Sequence, residues 1–306
     1  MPDIRHDPTG EQFHLSSADG RVTAHLTQVG ATIRGLTVDG VDLIAPYPQG
    51  MPAPAASGTV LVPWPNRVRD GKWSHNGTTY QLWITDPSVG GASHGLLRFM
   101  PYTVAEQSGD RLTLAATVFP QSGYPFQLDT TVTYALTADG IEVTHIIENV
   151  GTDAAPAALG THPYFTLGDV PTADLVLTSP GAKMLVLDDA LIPIDEVPVD
   201  AASDLRSGAR LGDVSLNTCY TDIARDADGM MRHRLSAPDG RTVTIWQGPE
   251  LDYVQVYTTD RYPNRELAVA IEPMSAVPDA LNSGRGLRWL APGETWTVSW
   301  GVSYSG

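Results

Sequence analysis

Apolar and polar residues alternate every second position along much of this chain. Arg241-Thr-Val-Thr-Ile-Trp246 and Thr295-Trp-Thr-Val-Ser-Trp-Gly301 put every other side chain on one apolar face, the pattern of a half-buried strand. No long stretch repeats its apolar residues every 3.6 positions, so helix is expected to be minor. Asp-Gly or Asn-Gly recurs at Asp19-Gly20, Asp39-Gly40, Asp70-Gly71, Asn76-Gly77, Asp139-Gly140, Asp228-Gly229 and Asp239-Gly240, mostly between short β-branched or aromatic runs. Both residue types tolerate the positive φ angles of a type I′ turn, which predicts hairpins. The clearest pair residues 72–74 with 78–82, 130–136 with 141–148, and 233–237 with 242–247. The fold class is all-β.

Residues 187–213 are rich in Asp, Pro, Ala and Ser and interrupt the strand pattern; they are expected to form a long surface connection. Strand-like sequence continues on both sides without a change in composition, and no internal repeat or charge block appears. One domain over residues 1–306 is the expectation, although that length exceeds the usual sandwich.

Composition narrows the partners. The formal net charge is −16, from 19 Lys plus Arg against 35 Asp plus Glu, a field that repels nucleic acid and acidic membrane surfaces. A small ligand is left open, because a pocket can be locally basic inside an acidic shell. Cys219 is the only cysteine, which excludes an intrachain disulfide framework and a cysteine zinc cage. Residues 1–10 carry Asp, Arg and His rather than a basic start and an apolar core, and no run of about 18 apolar residues occurs. A soluble, cytoplasmic protein is expected, as a monomer or homodimer.

The chain has no glycine-rich phosphate loop, nucleophile elbow or His-Glu-x-x-His helix. What remains is polar residues in apolar or glycine-rich settings, where a side chain must be hydrogen-bonded or held for a purpose. His162, in Gly160-Thr-His-Pro-Tyr-Phe165, is either a buried histidine tied to a carbonyl or a proton donor and acceptor near neutral pH. His94, in Ser93-His-Gly95, is either a turn residue or a ring aimed into a cleft by the glycine behind it. Glu272 follows the apolar run 267–271 and precedes Pro273, which suggests a strand ending at a pocket rim. A carboxylate there is salt-bridged or functional. Arg67, in Pro63-Trp-Pro-Asn66-Arg67, is a surface ion pair or a clamp for hydroxyl oxygens. Trp64, Trp83, Trp246 and Phe165 are core residues or an apolar face for a sugar ring.

These residues, in their order and spacing, resemble the aldose 1-epimerase family, within it the bacterial branch typified by actinobacterial galactose mutarotase-like proteins. The likeness runs from Val29-Gly-Ala-Thr-Ile33 through Pro63-Trp-Pro-Asn-Arg-Val-Arg-Asp-Gly71, Ser93-His-Gly-Leu-Leu-Arg98 and Gly160-Thr-His-Pro-Tyr-Phe165. It continues through Asp204-Leu-Arg206, Val254-Gln-Val-Tyr257 and Ile271-Glu-Pro-Met274 to Pro278-Asp-Ala-Leu-Asn282. The resemblance implies a large antiparallel β-sandwich with a concave sugar-binding face. It implies His162 as general acid, Glu272 as general base, and Arg67 and His94 as substrate-binding residues; Asn66, Asn217 and Trp246 are further candidates for contact with the sugar. Asn217 is a departure: in Leu216-Asn-Thr-Cys-Tyr220 an amide stands where the family commonly has an aspartate, which bears on affinity and sugar preference.

The implied reaction opens and recloses a monosaccharide's pyranose ring by proton transfer, with no metal or other cofactor. Two rival readings share the scaffold. A hexose-6-phosphate 1-epimerase needs extra cations, for which Arg98 and Arg69 are available, and a sugar-binding protein without catalysis needs neither His162 nor Glu272.

Overall fold

The computed structural model describes residues 6–306; residues 1–5, half of the N-terminal segment read above, lie outside the described residues. The dipeptide turns form as their chemistry dictates. Asp39-Gly40 and Asn76-Gly77 hold positive φ at both positions (51° and 78°, 49° and 76°), and strands Lys72–His75 and Thr78–Gln81 pair across the second. Strands Leu128–Leu136 and Gly140–Asn149 pair around Asp139, and Met231–Ser236 with Thr242–Gln247 around Asp239-Gly240. Asp70-Gly71 instead lies in a short 3-10 turn, Arg69–Gly71, that leads into a strand.

Two large antiparallel sheets dominate. One has nine strands, from Thr103–Gln107 at one edge through Gly140–Asn149 and Thr295–Ser305 near the middle to Ala209–Arg210 at the other. The second has eight. Its main path runs Pro193–Pro198, Gly181–Leu187, Asn217–Ile223, Tyr253–Thr259, Ala268–Met274, Gly160–Thr161, Val60–Leu61, and Tyr164–Phe165 also pairs with Ala268–Met274. A four-stranded sheet covers Gln12–Ser16 to Val41–Asp42. Among the described residues the one α-helix is Ala280–Ser283. One apolar cluster joins the sheets, with Val132, Val143 and Ile147 from the nine-stranded sheet meeting Val254, Val256, Val269 and Ile271 from the eight-stranded one. Each large sheet takes strands from both halves of the chain.

Residues 187–213 depart from the expected surface connection. They include strand Pro193–Pro198, which pairs with Gly181–Leu187 and extends the eight-stranded sheet by one edge strand. Two prolines at the ends of that strand masked it, since an edge position tolerates the missing donors.

Glu272 does not end its strand. Ala268–Met274 continues through Pro273, which pairs in register with Val254. The ladder accommodates a proline because of what lies beside it. Ile271 and Ser275 donate their N–H groups to Pro163 and Leu159, so the alternate residue 273 faces the same neighbour. That neighbour is interrupted between Gly160–Thr161 and Tyr164–Phe165. The missing donor thus falls at the break, and the break carries His162.

Truncating the core face of this strand should be costly. Ile271→Ala removes a fully buried side chain between the sheets, and urea denaturation should show a loss of about 2–5 kcal/mol. A loss below about 1 kcal/mol would mean that the strand does not depend on the inter-sheet core.

Candidate active site

Paired residues on neighbouring strands project to the same side of a sheet. On one side of the eight-stranded sheet this rule puts Glu272 beside Gln255, and Tyr257 beside Asn217 on one flank and Ala270 on the other. Ala270 in turn faces Tyr164 across the next strand. The residues between them, Val254, Val256, Val269 and Ile271, point into the core. One strand pair therefore supplies core and site by turns.

A ribbon of Arg67–Val68 against Ala92–Ser93 forms the facing wall. His94 and Gly95 follow it with φ of 63° and 70°. A Cβ on Gly95 would lie 2.1 Å from the Val62 carbonyl oxygen, so only glycine lets the chain turn there. The turn brings His94 back over Asn66: its N–H donates to the Asn66 carbonyl (2.7 Å) and its ring Nδ1 accepts from the Asn66 N–H (3.2 Å). That backbone donor fixes the tautomer, leaving the His94 proton on Nε2. Burial also holds His94 well below the usual imidazole range, with His162 adding to the effect, so the ring is neutral.

Between these walls lies a cavity of about 330 Å³, lined by His162, Glu272, His94, Arg67, Asn66 and Asn217 among others; this is the small end of ligand-pocket sizes. His162 Nε2 stands 3.3 Å from Glu272 Oε1, and the two are 6% and 2% exposed. The imidazole is sandwiched, with Tyr164 stacked on it at 5.4 Å and His94 edge-on at 5.3 Å. Four buried polar atoms lining this cavity lack hydrogen-bond partners: His162 Nδ1, Glu272 Oε2, Tyr164 Oη and Gln255 Oε1. Such a concentration of unpaired groups is costly unless a polar ligand engages them.

Burial sets the electrostatics. It pushes the Glu272 carboxyl well above the usual carboxylate range, an effect that Arg67 offsets in part, and it pulls His162 down to about 4. Each shift favours an uncharged group. At neutral pH the pair therefore holds one proton between two bases, and it titrates as a unit.

The polar rim is already partly committed. Arg67 Nε donates to Asp86 at 2.9 Å and its Nη1 to Asn66 Oδ1 at 3.3 Å, which leaves the outer edge of the fork free. Gln255 Nε2 donates to Asn217 Oδ1 at 2.9 Å. Asn217 consequently keeps its amide as a donor toward the cavity, while Gln255 keeps its oxygen as an acceptor.

Trp246 lies elsewhere. It belongs to Thr242–Gln247 of the nine-stranded sheet and covers Gly301, where a Cβ would come within 2.6 Å of its ring. Trp64 and Phe165 are in the core, and Trp83 is 70% exposed outside the cavity. The aromatic lining comes from Tyr164 and Tyr257 instead. Sequence reasoning favoured indoles for their area and passed over these tyrosines. A signal existed in Val254-Gln-Val-Tyr257, where polar residues alternate with valines; for Asp86, no local signal exists.

Residues 12–303 match the family Aldose 1-epimerase. YihR of Escherichia coli (strain K12), an uncharacterized protein, is 32% identical over 293 residues, which is 94% of this chain and 91% of that protein. Among solved structures, the GalM/aldose epimerase homologue from C. elegans aligns with a TM-score of 0.84 at 19% identity, covering 96% of this chain and 98% of that one. The galactose 1-epimerase from Lactobacillus acidophilus NCFM aligns with a TM-score of 0.78 at 17% identity, over 96% and 98%. At these identities the structural likeness speaks for the fold, a galactose mutarotase-like β-sandwich. The sequence match spans nearly the whole chain, and on that ground the protein belongs to the aldose 1-epimerase family.

Proposed function

We propose that the protein interconverts the α and β anomers of an aldohexose with a free anomeric hydroxyl, using Glu272 and His162 as its acid-base pair. The 3.3 Å contact between His162 and Glu272, each with its second polar atom unpartnered on one small cavity, carries this reading.

The proton count makes the pair suited to the task. With cyclic sugar bound, Glu272 as carboxylate takes the proton of the anomeric hydroxyl while protonated His162 gives one to the ring oxygen. The bond from C1 to the ring oxygen breaks and the aldehyde forms. The pair starts with one proton, on His162, and ends with one, on Glu272. Ring opening thus discharges a buried ion pair into the neutral form that burial favours, and hydroxyl donors of the bound sugar help to sustain the ionised form beforehand. Rotation about C1 to C2 presents the other carbonyl face, and the same transfers in reverse close the ring. His94 Nε2–H and the free edge of Arg67 are donors for sugar oxygens, and Asn217 and Gln255 offer a donor and an acceptor.

A sugar-binding role without catalysis is disfavoured, because a buried carboxyl group with one oxygen left unpartnered is destabilising and a binder gains nothing from it. Of the two cations available for a phosphorylated sugar, Arg69 is bound to Asp188 at 2.5 Å, and Arg98 alone lines the cavity.

Glu272→Gln and His162→Asn should each lower turnover by roughly a hundredfold or more, measured by polarimetry on freshly dissolved α-anomer with the spontaneous rate subtracted. Both variants should stay folded. Near wild-type rates in either would overturn the assignment.

The pH profile of kcat/KM provides a second check. Activity requires one proton on the pair. Below about 4, His162 gains a second proton while Glu272 is already protonated, and the base is lost. Above the raised value of Glu272 the last proton leaves, and the acid is lost. The expected profile is a broad plateau that falls on the acid side near 4 and on the alkaline side well above the carboxylate range. A narrow bell centred between ordinary Glu and His values would show that the groups titrate independently.

A further inference from the structure

Among the described residues, every arginine that is half-buried or more makes at least one hydrogen bond to protein, with one exception. Arg34 donates to the carbonyls of Tyr47 and Pro48, Arg265 to Thr166, and Arg285 to Glu196. Arg98 donates to nothing. The carboxylate whose charge it feels, Asp86, accepts from Arg67 on one oxygen and from Ser88 on the other. The Arg98 guanidinium only lies over the Phe99 ring, at 4.4 Å.

The backbone of Arg98 is also held firmly. Its residue sits in a turn closed by the Met100 N–H donating to the Leu97 carbonyl, with Leu97 in the core. The Arg98 carbonyl packs on Gly30, where a Cβ would come within 2.7 Å of it. The turn anchors the Arg98 backbone beside the cavity, and its side chain lines the wall. Outside the His162–Glu272 pair, the cavity then carries two guanidiniums against one carboxylate, Asp86.

The side of the cavity matters. Arg98 follows His94 on the same wall, in a segment whose Leu96 and Leu97 N–H groups donate to the Val62 carbonyl, and the His94 ring meets His162 edge-on at 5.3 Å, so Arg98 stands toward the histidine side. In the reaction proposed above, on which this inference rests, His162 serves the ring oxygen. The ring oxygen has two carbon neighbours: the anomeric carbon, which Glu272 serves through its hydroxyl, and C5, which bears the exocyclic carbon.

We propose that the cavity takes aldoses carrying an anion (phosphate, sulfonate or carboxylate) on the exocyclic carbon, and that Arg98 receives that anion. A guanidinium fork matches the oxygens of all three groups and forms charge-assisted hydrogen bonds with them. The chain is acidic overall, so its long-range field opposes such a substrate, and selection depends on this local fork.

The test compares glucose with glucose 6-phosphate, 6-deoxy-6-sulfoglucose and glucuronate, following anomer exchange by NMR. At least one anionic sugar should show kcat/KM tenfold or more above glucose, an advantage that shrinks as salt rises; the best of the three identifies the anion. Arg98→Met should lower the anionic-to-neutral ratio at least tenfold, and Arg98→Lys should restore part of it. Equal rates on all four sugars, or an unchanged ratio in Arg98→Met, would overturn the inference and leave the epimerase reading standing. Calorimetry with Glu272→Gln separates the two ideas. Equal affinity for glucose and all three anions removes the anion site. Tight binding that depends on Arg98, in a protein whose wild type turns over no sugar, keeps the site and removes the epimerase.

Discussion

A carboxyl group at the centre of a sheet, out of water and with one oxygen unpartnered, is the constraint around which this molecule is arranged. Glu272 occupies an odd place in an otherwise apolar strand, and two-residue alternation makes that tolerable. Val269 and Ile271 anchor the strand to the inter-sheet core, while Ala270, Glu272 and Met274 face the other way. Pro273 leaves a gap in the ladder where the neighbouring strand breaks, and the break delivers His162. The acid-base contact is therefore a product of strand register. A slip by one residue would send Glu272 into the core and Ile271 into the cavity.

The fold was legible because its signals are local. Paired Asp-Gly and Asn-Gly turns, and strands such as residues 241–246, depend on neighbours within a few positions, and the structure places hairpins there. The site was legible only in part. His162, Glu272, Arg67, His94, Asn66 and Asn217 stood out because each is polar in an apolar or glycine-rich setting or matches a family motif, and the structure gathers them on one cavity. Trp246 was misplaced because ring area says nothing about which sheet a strand joins. Tyr164, Tyr257 and Asp86 escaped notice because their place depends on pairings between distant segments. The edge strand Pro193–Pro198 hid for another reason: proline argues against a strand only where both neighbours need the N–H.

The amide at position 217 shows how a substitution is read through its neighbour. Viewed alone, Asn217 keeps an acceptor oxygen and loses a charge. With Gln255 donating to that oxygen, the acceptor is consumed and the cavity meets the amide's hydrogens. The same position thus contributes opposite polarity from a free carboxylate. Together with the free edge of the Arg67 fork, it presents donors to the cavity, suited to ligands rich in oxygen lone pairs.

The wide spread of the cavity's residues along the chain also bears on how the protein comes to be folded. The ribbon that carries Arg67 and His94, the broken strand with His162, and the strand of Glu272 belong to remote parts of the sequence. Bringing them together requires closing long loops before any contact in the cavity repays the entropy, and antiparallel sheets of such distant strands assemble slowly. Hairpins such as residues 72–81 can zip early, since their partners are adjacent. The meeting of His162 with Glu272 has to wait for the central ladder of the eight-stranded sheet, so a partly folded chain would already hold most of its local turns and yet have no cavity.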